Sequence, residues 1–339
     1  MGHPAPSAWV VTSPASGEEA AEALDRLSRI DRYVAHHLDL PRNQVQRWLR
    51  EGRVLKNGKP ASGSDAVAPG DEIACDPPVP GDDRVAAESG DLHILFEDSE
   101  LLVLDKPAGL AVHPGAGRAT GTLAHFLLGH DAGIAGVGGP GRPGIVHRLD
   151  LGTSGAMVVA KTPEAYRALS EAFAGRAVEK RYLAIVHGAP KIPAGTIDAP
   201  IGRHPVNRQE MAVVPRGREA RTDYRTVAAA GGLALLAFHL HTGRTHQIRV
   251  HSKHLGHPLV GDPVYGEARW KGLEKSRQAA VRDFARPALH AWRLAFAHPI
   301  TGAPLSFEAT VPEDLRALWQ AATGAAWPSA SLSIPSFRT

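Results

Sequence analysis

Between residues 24 and 38 the apolar positions fall three or four apart: Leu24, Leu27, Ile30, Val34 and Leu38. That spacing puts them on one stripe of a helix, and Pro41, which lacks an amide hydrogen, stops it. A second short helix is predicted from Asn43 to Arg50, closing near Gly52. Val54-Leu55-Lys56-Asn57-Gly58-Lys59 reads as a hairpin, because Asn-Gly accepts the positive backbone angles of a tight two-residue turn. Val67, Gly70-Asp71 and Ile73 predict one more short strand. Further along, short apolar runs replace the helical stripe: Ile94-Leu95-Phe96, Leu101 to Leu104, Met157 to Ala160, Tyr182 to Val186 and Leu233 to Leu240 are predicted strands. One helix is predicted from Pro163 to Ala174, with Thr162 as N-cap, proline at the first position and Gly175 after its end. Another is predicted from about Thr245 to Leu255.

This mixture predicts an α+β fold rich in sheet, with a small domain and a large one. Residues 1–20 are small and polar and are expected to be flexible; 21–80 form the small domain. Residues 81–91 lie in the Pro-, Gly- and acid-rich stretch from Pro77 to Gly90 and are expected to be a linker. The large domain is expected over 92–325, followed by a loose tail over 326–339. There is no tandem repeat.

Composition narrows the classes. With 339 residues, 43% of them hydrophobic, the chain can bury a sizeable core. The opening MGHPAPSAWVVTSPASG lacks a basic start followed by an apolar run, and no apolar stretch reaches the roughly 20 residues that span a bilayer. A soluble, cytoplasmic protein without a membrane partner is expected, with monomer as the default state. Cys75 is the only cysteine, which leaves no internal disulfide or cysteine-rich metal cage. A pI near 9.1 permits a polyanionic partner, but a net charge of +3 is mild, so clustering of the basic residues matters more than their sum.

They do cluster. Arg42, Arg47, Arg50, Arg53, Lys56 and Lys59 stand against one acid within that stretch, Glu51. Arg47 and Arg50 share a helix face, and guanidinium groups so spaced can straddle phosphates. By itself such a run is more often a solvated basic face. The ordered set Arg42-Asn43-Gln44-Val45-Gln46-Arg47-Trp48-Leu49, Gly52-Arg53-Val54, Asn57-Gly58-Lys59 and Gly70-Asp71-Glu72-Ile73 resembles the alpha-L RNA-binding module of ribosomal proteins and RNA-modifying enzymes. The resemblance covers about residues 24–78. It implies binding of structured RNA by these six basic residues, with Trp48 as packing. Pro41-Arg42 replaces the module's usual serine.

The chemistry concentrates in Gly144-Ile145-Val146-His147-Arg148-Leu149-Asp150-Leu151-Gly152-Thr153-Ser154-Gly155. Arg148 and Asp150 are two apart, so alternation puts them on one side. A carboxylate near a guanidinium stays ionised and is available as nucleophile or base. On these residues alone, a structural Asp–Arg pair at a strand entrance is the plainer reading.

The pattern HRLDxxTSG, however, resembles the signature of the RluA family of pseudouridine synthases, and three further segments match in order. They are Leu104-Asp105-Lys106-Pro107-Ala108-Gly109 with Val112-His113-Pro114-Gly115; Glu179-Lys180-Arg181-Tyr182-Leu183-Ala184; and Gly243-Arg244-Thr245-His246-Gln247-Ile248-Arg249-Val250-His251 with Gly256-His257-Pro258 and Gly261-Asp262. The match spans about residues 92–312. Leu151-Gly152 stands where many relatives carry a charged pair.

The resemblance implies a curved, mostly antiparallel sheet with an RNA cleft across its middle. It implies Asp150 as the catalytic residue, Arg244 as the arginine paired with it, Arg148 as a hold on the flipped nucleotide, and Tyr182 packed on the target base. Arg249 is expected to face RNA. The implied reaction breaks the glycosidic bond, turns the uracil and rejoins it through carbon 5, with Asp150 attacking or deprotonating the sugar side. No redox step or phosphate transfer occurs, so neither cofactor nor metal is expected. The implied partner is large-subunit ribosomal RNA or an assembly particle of that subunit; the VHPGAG stretch followed by Gly121-Thr122-Leu123 points the same way. Transfer RNA as substrate, or a non-catalytic assembly factor on the same fold, are the alternatives.

Three other signals are set aside. His241, His246, His251, His254 and His257 crowd one region, but without HExxH or cysteine, and beside Arg244, Arg249 and Lys253, which repel a cation. Gly136 to Gly144 lacks the Gly-Lys-Ser/Thr ending of a phosphate loop and reads as a flexible surface loop. Ser154 near His147 has no GxSxG elbow around it.

Overall fold

The computed structural model describes residues 7–12, 29–40, 42–77, 85–115, 118–139, 142–267 and 269–328, without the side chain of Asn43. The chain divides into two units, Met1–Arg84 and Val85–Thr339.

In the smaller unit, strand β1 (Ser7–Val10) is followed by helices α1 (Ile30–His37) and α2 (Arg42–Arg50), then strands β2 (Val54–Lys56), β3 (Lys59–Pro60) and β4 (Glu72–Cys75). The strands pair in the order β1-β4-β2-β3. Asn57 and Gly58 both have positive φ, 51° and 75°, as the tight turn between β2 and β3 requires. Ile30, Val34, Val45, Trp48, Leu49, Val54, Ile73 and Cys75 form the core, and Trp48 is packing. The expectation of a flexible 1–20 differs from the structure at β1, which pairs antiparallel with β4. Leu24 and Leu27 lie outside the described residues.

The larger unit contains β5 (Ile94–Glu97), β6 (Leu101–Lys106), α3 (Leu123–His130), β7 (Gly144–Ile145), β8 (Ser154–Ala160) and α4 (Pro163–Ala174). Then come β9 (Glu179–His187), β10 (Ala194–Asp198), β11 (Ile201–Arg203), β12 (Met211–Val213), β13 (Arg221–Ala230) and β14 (Leu233–Leu240). Helices α5 (Gln247–His254) and α6 (Lys275–Arg282), strands β15 (Leu289–Ala297) and β16 (Pro304–Glu308), and helix α7 (Glu313–Thr323) complete it. The main sheet runs β10-β13-β14-β9-β15-β8-β6-β5. Its pairings are antiparallel except β15 with β8, which is parallel through His290↔Ser154 and Ala291↔Gly155. That join divides the sheet into two antiparallel halves. A Cβ at Gly155, whose φ is +122°, would lie 2.2 Å from the Ala291 carbonyl oxygen, so glycine permits the join.

Strand alternation covers both faces. On one face, Leu102, Leu104, Met157 and Val159 pack under α3, while Ala184, Leu236, Phe238 and Leu240 build a second cluster. Tyr182 touches both clusters and therefore sits at their seam. On the other face α4 and α7 cover the two halves through Leu169 and through Leu315, Leu318 and Trp319.

Thr162 Oγ1 accepts from Ala165 N and caps α4, as its sequence predicts. Gly175 is not the left-handed residue there; Arg176, at φ 61°, is. Two expected boundaries shift. From Val85 the stretch expected to be a linker packs on the large unit: Glu88 N donates to His125 O, and its carboxylate accepts from Gly121 N. The start of the expected tail also packs, Trp327 meeting Trp319 edge-on at 6.5 Å while Trp319 Nε1 donates to Ala326 O.

Candidate active site

The segment from Val146 to Thr153 joins β7 to β8 without strand pairing. Leu149 is buried among Leu102, Leu104 and Met157, which turns its neighbours Arg148 and Asp150 outward into a cleft. His147 anchors the entrance. Its Nε2 accepts from Val158 N at 3.0 Å and its ring stacks on Phe173 at 4.5 Å. Burial, aided by the charge of Lys180, pushes its pKa down to about 3, so the ring is neutral, as an acceptor must be.

The cleft, about 130 Å³, lies at the seam of the two clusters and is lined by Arg148, Asp150, Tyr182, Arg244, His246 and Arg249, with apolar walls from Leu240 and Leu289. Arg249 Nη1 donates to Asp150 Oδ2 at 3.1 Å. The rest of that guanidinium binds Asp262, with Nε at 2.7 Å from one carboxylate oxygen and Nη2 at 2.8 Å from the other. Asp262 Oδ1 also accepts from Val264 N and Tyr265 N. Burial opposes ionisation of Asp262, but Arg249 and these amides outweigh it and hold its pKa below the ordinary value.

His246 Nε2 lies 3.9 Å from Asp150 Oδ2. Burial lowers the His246 pKa, although the Asp150 charge pulls it upward. Burial, and then the charge of Asp150, raise the Tyr182 pKa, so the phenol stays neutral. Fully buried Lys106 donates to Pro107 O at 2.8 Å and Leu110 O at 2.9 Å. Burial brings its pKa down to about 8, with Asp150 the largest opposing influence.

The expected pairing of Arg244 with Asp150 is corrected here. Gln247 accepts from Thr242 Oγ1 and Arg244 N, and donates to Arg221 O and Thr222 Oγ1, which fixes the approach to α5. Held this way, Arg244 directs its Nε to Glu219 O at 2.9 Å, while the first turn of α5 buries Arg249 between the two aspartates. Arg249 was expected to face RNA; its side chain is 7% exposed and committed inside the protein. Asp262 went unassigned in the sequence, although Gly261-Asp262 belongs to the matching motif.

In the smaller unit the basic cluster meets more acid than its own stretch contains. Arg42 binds Asp31 at 2.7 Å, Arg47 binds Glu51 at 2.9 Å, and Arg53 lies 3.2 Å from Glu51 and 3.8 Å from Asp76. Lys56 binds Asp71 at 2.9 Å. Arg50 and Lys59 are exposed.

The crowded histidines separate in space. His251 is buried against Thr222 Oγ1 and Ala199 O, and His257 Nδ1 meets His187 O. Among the described residues one group could hold a cation, Asp223 with His239 and His241. Alternation from Leu240 puts both histidines on the sheet face opposite the cleft, and His241 Nε2 donates to Asp223 at 2.6 Å.

The seam of the main sheet thus gathers a carboxylate, a neutral phenol and three arginines around one cleft, while the smaller unit carries a separate cluster of basic side chains. Comparison with known proteins gives the family. The RNA pseudouridylate synthase model matches residues 100–254, and the S4 domain model matches residues 28–73. An uncharacterised RNA pseudouridine synthase of Bacillus subtilis is 42% identical over 86% of this chain and 92% of its own. The ribosomal large subunit pseudouridine synthase D of Xanthomonas campestris is 45% identical over 84% and 85%. The structure of human RNA pseudouridylate synthase domain containing 1 has a TM-score of 0.53 and 29% identity, covering 68% of this chain and 90% of that one. The chain belongs to the RNA pseudouridine synthase family, whose members are isomerases, and carries an S4 RNA-binding domain.

Proposed function

We propose that this protein converts specific uridines of large-subunit (23S) ribosomal RNA to pseudouridine, with Asp150 acting on a flipped-out nucleotide. The observation that carries this is the pairing at the seam: one Asp150 oxygen is held by Arg249 while the neutral Tyr182 lines the same small cleft. Names of relatives such as the Xanthomonas campestris enzyme support the choice of RNA.

In this reading Arg249 holds and aims Asp150, and Arg148 and Arg244 at the cleft rim hold the nucleotide and its phosphates. Tyr182 supports the uracil face. Flipping costs a few kcal/mol of stacking, which phosphate contacts to the basic rim and to Arg50, Lys59 and their neighbours offset. The bond from nitrogen 1 to the sugar breaks, the uracil turns, carbon 5 joins the sugar, and the proton on carbon 5 leaves while nitrogen 1 takes one up, so that the product is an isomer. No cofactor takes part. The protein acts as a cytoplasmic monomer on ribosomal RNA or a large-subunit assembly particle.

The test is pseudouridine mapping of large-subunit RNA from cells lacking the gene. Sites that disappear and return with the wild-type gene support the proposal. Loss confined to transfer RNA moves the substrate there, and no loss in any RNA refutes it in favour of a binding factor.

A further inference from the structure

The loop that presents Asp150 is held through three consecutive carbonyls. Asp150 O accepts from Thr153 N at 3.0 Å, and Leu151 O accepts from Gly109 N at 2.8 Å. Gly152 O accepts from a side chain, Nη1 of Arg286, at 3.2 Å. The same Nη1 reaches Pro287 O at 3.1 Å and Leu289 O at 3.4 Å, where β15 begins. The other edge of the guanidinium is bidentate to Asp314 in the first turn of α7, with Nε at 2.6 Å and Nη2 at 2.7 Å. The Arg286 ring neighbour, Phe284, lies 5.3 Å away beneath the guanidinium.

Arg286 is 14% exposed and is absent from the lining of the Asp150 cleft; it lines a separate surface pocket with Lys106, Ser154 and Asp314. Its five polar contacts tie together three elements: the Asp150 loop, the start of β15 and the start of α7. Contact continues one residue on. A Cβ on Gly152 would approach Pro287 Cδ to 2.8 Å, so the loop lies directly against the Arg286-Pro287 segment. A residue with a side chain at position 152 would have to push this contact apart.

We propose that Arg286 is a positioning residue for Asp150, a latch that fixes the carboxylate's height in the cleft by seating Gly152 against Pro287. The latch rests on the reading of Asp150 as the catalytic residue. Only the backbone of the loop is gripped, so Arg286 governs the approach of Asp150 to the nucleotide rather than the affinity for RNA. A lysine ammonium could meet the carbonyls with its three donors, but it cannot hold them and both Asp314 oxygens at the same time.

The experiment uses the full-length protein and ribosomal RNA labelled with tritium at carbon 5 of uridine, read as single-turnover tritium release, with RNA affinity measured separately. Misplacement of a reacting group by about an ångström costs on the order of 10²-fold. Arg286→Ala is therefore expected to lower the saturated rate by about that factor, with RNA affinity changed less than about twofold; Arg286→Lys recovers under a tenth of the loss. Gly152→Ala is expected to slow the enzyme likewise, and Pro287→Ala in the same chain to restore most of the rate. This pair needs no loss of the buried arginine and decides the matter if Arg286→Ala does not fold. A wild-type saturated rate in Arg286→Ala, a loss seen only in affinity, or no rescue by Pro287→Ala overturns the latch while leaving the Asp150 reading intact. Activity in Asp150→Asn would instead overturn that underlying reading.

Discussion

Each unit buries an aspartate beside arginine, and the two arrangements are finished differently. In the smaller unit Asp31 is fully buried and receives Arg29 at 3.2 Å, Arg42 at 2.7 Å and Gln46 at 2.9 Å. Burial opposes its ionisation, but Gln46, Arg42 and Arg29 together hold its pKa below the ordinary value. In the larger unit one guanidinium serves two carboxylates: Asp262 takes two of its bonds and two amides besides, while Asp150 takes one and its side chain stays 22% exposed. A carboxylate saturated by partners stabilises a fold. One held at a single oxygen beside a cleft keeps capacity for a reacting group.

Breaking the shared arginine has the largest expected effect. Arg249→Ala leaves Asp262 buried without its cation and Asp150 unheld, so it should cost about 3–5 kcal/mol and the activity together. Arg249→Lys should not restore the rate, because an ammonium cannot serve both carboxylates in that fork geometry. Denaturant unfolding and single-turnover assays check both; a stable, active Arg249→Lys would remove the contrast between the two sites.

Asp31→Ala should destabilise the smaller unit by about 2 kcal/mol, the worth of charge-assisted hydrogen bonds lost. RNA affinity should fall while the rate at saturating RNA holds. A change in the saturated rate would mean that Asp31 reaches the chemistry.

Acid sharpens the difference between the units. His187 and His290 are buried in the larger one, and burial is the main cause that takes each pKa from 6.5 down to about 4. Below pH 6.5 the unfolded chain binds protons that the native unit refuses, so these groups withdraw stability as pH falls from 6.5 to about 4. Asp31, held below 3.8, gives up its contribution only under that value. Calorimetry at pH 7 and pH 5 should show the larger unit's transition moving down while the smaller unit's holds; the opposite order would contradict the assignment.

The smallest effect belongs to Lys59, exposed in the basic cluster. Lys59→Ala should weaken RNA binding modestly and reduce the slope of log affinity against log salt by about 0.7–0.9 if it contacts one phosphate. An unchanged slope removes it from the RNA surface.

These contrasts also mark how far the sequence was legible. Signals carried by neighbours in the chain were readable: the cap and proline of α4, the run of β14, and the Asn-Gly turn. Helix α7 escaped, although Leu315, Leu318, Trp319 and Ala322 follow helical spacing and could have revealed it. Partnerships across the fold were not readable. Arg244 and Arg249 sit in one motif, and only the anchoring of Gln247 decides which points inward. The basic cluster counted a single acid because Asp31, Asp71 and Asp76 arrive from elsewhere in the unit. Arg286 carried no motif at all; its meaning comes from contacts made 134 residues away at Gly152.

The central claim is that Asp150 performs the chemistry. Its most direct test is single-turnover tritium release from uridine-labelled large-subunit RNA by purified wild type and Asp150→Asn, with RNA binding measured in parallel. Wild type is expected to release tritium, Asp150→Asn none above background, and the two to bind RNA with closely similar affinities. Release by Asp150→Asn at the wild-type rate would contradict the claim.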